Sequence, residues 1–191
     1  MDFRIGHGYD VHALADGLTV RAEASEGPIP RVTATARSED LAVTLEGLRP
    51  IAAPFGLSVE AEGDAGGYVL RAFALETAYA SVTARGRFET AGGRVTLEGM
   101  LEPDFARLWG LPFLDAYREL GIAVEGKHAR PFRFNAPVLN GLPGILNEGS
   151  AEAALAFDRV TLPGFDIPGG GATLTLTNAV AALDAEMAVN G

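Results

Sequence analysis

The residues whose types and spacing come closest to chemistry stand near the start of the chain, in Arg4-Ile-Gly-His-Gly-Tyr-Asp-Val-His12. Asp10 and His12 are two apart, so in a β-strand both side chains point to one face, an acceptable pair of ligands for zinc or another divalent metal. A catalytic zinc needs three protein ligands and an open position. In a regular strand His7 falls on the opposite face from the pair. Between Ala13 and Lys127 there is no histidine, so His128 can reach the pair only through tertiary folding. Asp10 and His12 are the metal-ligand candidates, and the sequence places no third ligand beside them.

Other chemistry is thinner. Gly6-His-Gly8 and Gly169-Gly-Gly171 lack the spacing, and the following helix or lysine, of a phosphate loop. No G-x-S-x-G elbow occurs, and no histidine lies close in sequence to Ser25, Ser38, Ser58, Ser81 or Ser150. Cysteine is absent, which removes disulfides, thiolate metal sites and a cysteine nucleophile. The acidic residues mostly alternate along strands and read as a solvated face. No catalytic residue is assigned. A formal charge of −10 argues against nucleic acid or an anionic membrane surface as partner. The sole lysine is Lys127, and the arginines are scattered singly, with no basic patch.

The elements that must position any site are almost all strands. Leu18, Val20, Ala22 and Ala24 alternate with Thr19, Arg21, Glu23 and Ser25, the period-two pattern of a strand with one wet face. The pattern returns at Val32–Ala36, at Leu41–Leu45 and at Leu57–Ala61. Pro50 to Gly56 reads as a loop with a short helical turn. Asp64-Ala-Gly-Gly67 is a hairpin signal, because paired glycines tolerate the positive φ of tight turns. Longer strands follow over Tyr68–Thr77 and Ala80–Glu89, then one carrying Val95 and Leu97, which makes about seven strands. After residue 121 come a strand begun by Ile122 and Val124 and another bearing Phe132 and Phe134. Leu139 to Leu146 reads as a loop with a helical turn. The last strands run over Ala151–Phe157, through Leu174 and Leu176, and from Leu183 through Val189.

Leu101 to Gly121 breaks the rhythm. Phe105, Leu108 and Trp109 form one helical face, and Leu114, Tyr117 and Leu120 another. Pro103 and Pro112 suit first helical turns, and Gly110 and Gly121 suit helix ends. Two short helices over about 103–121 therefore plug the gap between β-meanders at 1–100 and 122–191. The fold expected is mainly β, an antiparallel meander forming a curved, one-sided, groove-like sheet or a sandwich. One-sided alternation suits an open sheet and a closed sandwich or barrel equally. With 191 residues, 48% of them hydrophobic and 24 of them glycine, the composition suits many short strands and tight turns. No apolar run approaches the roughly 20 residues that span a bilayer. The chain reads as soluble or as a fragment of something longer.

From about Leu18 onward the order of features resembles a segment of the AsmA-like proteins, the bacterial envelope proteins related to TamB and YhdP. The resemblance lies in short one-sided strands joined by Gly turns and in Leu108-Trp-Gly-Leu-Pro-Phe113 followed by Gly121-Ile-Ala-Val-Glu-Gly126. It continues in Gly149-Ser-Ala-Glu-Ala-Ala-Leu-Ala-Phe157 and in Thr175-Leu-Thr-Asn178 leading to Val189-Asn-Gly191. It implies a periplasmic or envelope location and a sheet whose apolar groove holds phospholipid acyl chains. It implies no cofactor. The groove candidates are Leu18, Val20, Leu41, Val43, Leu155, Phe157, Leu174 and Leu176. Members of that family are typically anchored in the inner membrane and far longer, and this sequence has no such anchor.

Separately, residues 4–12 resemble the opening of 2-C-methyl-D-erythritol 2,4-cyclodiphosphate synthase, a trimeric enzyme of isoprenoid synthesis. In that family the Asp-x-His pair binds a divalent metal, usually zinc, which implies the same role for Asp10 and His12. The third histidine, expected about 30 residues on, is replaced by Thr33-Ala-Thr-Ala-Arg-Ser-Glu-Asp40. The alternative reading is therefore a cytoplasmic, metal-dependent synthase or a remnant of one. It requires an α/β protomer in a trimer, whereas the lipid-binding reading requires mostly antiparallel β structure and no catalysis.

Overall fold

A computed structural model of the chain describes residues 3–5, 11–16, 18–25, 29–45 and 51–187. The alternating segments become strands, as their one-sided pattern demands. Before the helical stretch these are β1 (Phe3–Ile5), β2 (Val11–Asp16), β3 (Thr19–Ser25), β4 (Arg31–Leu45), β5 (Ile51–Asp64), β6 (Gly67–Thr77), β7 (Ala80–Glu89) and β8 (Arg94–Pro103). Helices α1 (Phe105–Trp109) and α2 (Asp115–Glu119) flank a single 3-10 turn at Pro112–Leu114. Then come β9 (Ala123–Glu125), β10 (Arg130–Pro137), α3 (Gly141–Glu148), β11 (Ser150–Phe157), β12 (Arg159–Leu162), β13 (Phe165–Ile167), β14 (Gly170–Thr177) and β15 (Val180–Met187).

Twelve strands form one antiparallel sheet in the order β1-β2-β4-β5-β6-β7-β8-β10-β11-β14-β15, with β3 paired to β4 alongside β2. A small second sheet has the order β13-β12-β9. The large sheet starts at β1 and stops at β15, so it is open, and the described residues form neither a closed barrel nor a sandwich. Because β8 pairs directly with β10, the helical stretch is an excursion from the end of two neighbouring strands. Through that pairing the strands before and after it belong to one continuous sheet.

Several local expectations change. Of the loop expected over Pro50–Gly56, residues Ile51–Gly56 are instead the start of β5, and Pro50 lies outside the described residues. Pro54 is tolerated there because the β4–β5 register shifts between Ser38 and Leu41, opposite Phe55 and Ala53. A residue facing such an irregularity loses no ladder hydrogen bond for want of an N–H. The same shift lets β4 run unbroken through Glu39 and Asp40, where the alternation suggested two strands. Pro103 ends β8 instead of opening a helix, and Asp104 caps α1 by accepting from the Arg107 N–H at 3.1 Å. Leu139–Leu146 contains a true helix, α3. A β12–β13 hairpin turns at Pro163-Gly164, where Gly164 takes φ 94°. Val189 lies outside the described residues.

Burial is shallow. Among the described residues no large side chain is fully buried, and the buried apolar ones are Ala61, Leu97, Leu111, Ala136, Ala156 and Ile167. A compact monomer of this mass, 19.9 kDa, exposes about 8,700 Å². This chain exposes 12281 Å². The excess is what a single-layer sheet with both faces open requires.

Candidate functional site

Register decides which side chains share a face, since directly paired residues in an antiparallel sheet point the same way. One row reads Ala22-Ala34-Val59-Phe73-Ala84-Gly99-Phe132-Ala153-Leu174-Leu183 across ten strands. The next reads Ala24-Val32-Ala61-Leu70-Gly86-Leu97-Phe134-Ala151-Leu176-Ala181. Neither row holds a polar side chain. At the usual strand spacing each is roughly 40 Å long. The face is half-buried along its middle and exposed towards its edges, with Val20 62% and Leu183 65% exposed.

The candidate groove residues fall as follows. Leu174 and Leu176 lie in the apolar rows, Val20 lies on the same face in the neighbouring row Val20-Ala36-Leu57-Leu75-Val82-Leu101, and Leu155 and Phe157 continue that face opposite Ala172 and Gly170. The Phe157 ring occupies the space over Gly170, where an added Cβ would come within 2.4 Å of ring carbon Cζ. Leu18, 41% exposed, precedes β3. Leu41 and Val43 are paired with Ala53 and Ile51 in the backbone ladder, and their side chains lie outside the described residues. Phe73, Phe132, Phe134 and Leu183 belong to the face as well. Each shows apolar alternation in the sequence, but their alignment into rows depends on cross-strand register, which a single sequence does not carry.

Both ends of the face carry helical structure. Helix α3 packs against β10 and β14, and Ala136, at that end of the apolar face, is 0% exposed. Two bonds tie the C-terminal end of α3 to the turn between β14 and β15: the Ala179 N–H donates to Leu146 O at 2.7 Å, and the Asn178 N–H to Gly149 O at 3.4 Å. At the other end α1 packs on β9. There Trp109 Nε1 donates to Ile122 O at 2.6 Å, and the Arg118 guanidinium binds the carbonyls of Trp109 and Leu111. Trp109 is thus the anchor of the helical stretch.

The opposite face is wet and ion-paired. Arg71 donates twice to Glu62, at 2.9 and 2.8 Å, and Arg31 adds a contact at 3.3 Å, so Glu62 is held below its ordinary range, chiefly by the Arg71 hydrogen bond. Arg87 grips Asp64 with both terminal nitrogens. That hydrogen bond, helped by the Gly66 N–H, lowers the Asp64 pKa from 3.8 to about 2 and raises that of Arg87. The hollows form on this face. One of about 870 Å³ lies over β3–β6, lined by Thr19, Arg21, Thr35, Arg37, Glu39, Gly56 and Glu76 among others. Another, of about 320 Å³, is lined by Thr96, Glu98, Arg133, Asn135, Glu152 and Thr175 among others. Long polar side chains stand up as walls, whereas Ala, Val and Gly leave the apolar face in low relief.

The N-terminal motif falls on a β1–β2 hairpin with Arg4 paired to His12. Asp10 and the His12 side chain lie outside the described residues. Among the described residues no group of three or more His, Cys, Asp or Glu is placed to hold a metal ion. His128 is engaged elsewhere, with Nε2 2.7 Å from Asp158 Oδ1. Among the described residues no helix is long and apolar enough to cross a membrane. Comparison with family models, with curated proteins and with solved structures finds no match for this chain.

Proposed function

We propose that the chain is a non-catalytic lipid-binding or lipid-transfer segment of a bacterial cell envelope, holding phospholipid acyl chains on its apolar sheet face and needing no cofactor. The observation that carries this reading is the pair of uninterrupted apolar rows crossing ten strands with no covering layer among the described residues. An exposed apolar patch larger than a few hundred Å² on a soluble domain marks a surface that meets another apolar body. An acyl chain lying across the strands would contact one row at every strand, and each CH₂ it buries contributes about 0.8 kcal/mol. Length along the row then sets affinity, and no polar group need fix the chain in place.

The synthase alternative asks for an α/β protomer, and the fold of the described residues is antiparallel β. Among the described residues no group of side chains is placed to hold the metal that reading needs.

The test is native mass spectrometry of the purified chain together with Leu174→Glu. Leu174 is 41% exposed, so a charge there can be solvated and the fold should survive. The reading expects co-purifying phospholipid on the parent chain and its loss from the variant, with the β signal in circular dichroism unchanged. A bare chain that also refuses lipid offered in detergent would sink the proposal. A metal-loaded trimer would sink it too.

A further inference from the structure

The hollow of about 870 Å³ lies on the wet face, away from the apolar rows, and its charges are arranged unusually. Several arginines of the wet face meet partners: Arg31 and Arg71 meet Glu62, Arg87 meets Asp64, and Arg133 meets Glu98. Within the hollow Arg21, Arg37, Glu39 and Glu76 make no ion pair among the described residues. Register explains why. Thr19, Arg37, Gly56 and Glu76 form one row across β3, β4, β5 and β6. Arg37 and Glu76 are therefore two strands apart, about 10 Å at their backbones. Between them stands Gly56, which has no side chain to fill the gap. Arg21 and Thr35 pair in the next row towards β3's centre, so two guanidiniums and the hydroxyls of Thr19 and Thr35 gather at one end of the hollow. The carboxylate of Glu76 faces them from the far side of Gly56.

We propose that this hollow is a binding site for a small zwitterion, an anionic group seated among Arg21, Arg37, Thr19 and Thr35 and a primary ammonium directed at Glu76 across Gly56. Arginine forks suit the oxygens of a phosphate or carboxylate, and a carboxylate accepts from an ammonium in a charge-assisted bond. A simple anion would meet the repulsion of Glu39 and Glu76. A simple cation would meet that of the two arginines. A molecule carrying both charges is selected over either, since mismatched charges are penalised as strongly as matched ones are rewarded. Gly56 sets the room: an added Cβ there would meet only Glu76 Cβ, at 3.9 Å, so a larger side chain fits the backbone and fills the hollow. This site shares no residue with the apolar rows, so it stands whether or not the face binds acyl chains.

O-phosphoethanolamine is the probe, with ethyl phosphate and ethanolamine as its two halves, titrated into the full chain and followed by amide chemical shifts. The expected result is saturable binding of the whole molecule and at least about tenfold weaker binding of either half. Glu76→Gln should bring the probe and ethyl phosphate to about the same affinity, weakening the probe by loss of its ammonium partner and strengthening ethyl phosphate by loss of a repelling charge. Arg37→Gln should weaken both. Gly56→Val should abolish binding, with the β signal retained; if that variant fails to fold, the two isosteric charge variants carry the test alone. Vesicles of phosphatidylethanolamine decide the source: flotation of the chain with them, reversed by free probe, assigns a lipid headgroup, and binding of the free probe alone assigns a soluble amino-phosphate. Shifts that never saturate, or ethyl phosphate binding as tightly as the probe, would overturn the proposal.

Discussion

At the scale of single residues, two glycines are as constraining as any side chain. An added Cβ at Gly86 would lie 1.8 Å from Thr96 O, and one at Gly99 would lie 1.9 Å from Thr83 O. Both obstacles are backbone of the adjacent strand, which cannot rotate away. Gly86→Ala or Gly99→Ala should therefore push β7 and β8 apart and cost about 1–3 kcal/mol, the usual range for overpacking, read as a lower denaturant midpoint. The Arg87–Asp64 pair gives a pH prediction. Asp64 has a folded pKa of about 2 against an ordinary 3.8, so the pair's contribution is complete above the higher value and disappears as pH falls through the lower. Arg87→Gln should be less stable than the parent at pH 6, and the two stability curves should converge between about pH 4 and pH 2. The pair is exposed, and the gap between the curves should narrow in high salt.

At the scale of elements, the helical stretch depends on a few polar ties. Trp109→Phe keeps an aromatic ring but removes the donor to Ile122 O, a net hydrogen bond worth about 1 kcal/mol, together with part of the ring's bulk. Near-ultraviolet circular dichroism should register freer rings in α1 and the 3-10 turn while the strand signal holds. Strand identity was legible from the sequence because alternation is a local property: Tyr68–Thr77 and Ala80–Glu89 stand where their patterns put them. What failed were places where a partner overrides a local signal. Pro54 reads as a loop former until its position opposite the β4 irregularity is known. Pro103 reads as the opening of a helix until it is seen to pair with Ala80 at the end of β8. Half of the candidate face was visible residue by residue as Val20, Leu155, Phe157, Leu174 and Leu176. That Leu174 aligns with Phe73 and Phe132, and Leu176 with Leu70 and Phe134, is a fact of register, and so is the gap between Arg37 and Glu76. Neither can be read from one strand at a time.

At the scale of the whole molecule, the excess of exposed surface has thermodynamic consequences. A chain that exposes 12281 Å² when folded has less surface left to reveal on unfolding than a compact one of equal length. Its heat-capacity change should fall below the roughly 12–15 cal/mol/K per residue of compact domains, and its urea m-value should be correspondingly low. Calorimetry of the chain purified free of lipid checks this. Adding a ligand that covers the apolar face should make the heat-capacity change on binding negative.

The order of strands has a mechanical side. In the large sheet each strand touches only its neighbours, and most neighbours are consecutive in the chain. Such an object is close to a one-dimensional ladder, whose cohesion is a sum of rung-by-rung terms. Pulled or heated, a ladder opens from its last rungs and not everywhere at once. Amide protons in β15 and β3 should therefore exchange first and those around β6–β8 last, in a graded profile along the sheet. The same geometry makes length a free variable, since a hairpin added to or removed from an edge leaves every remaining register intact.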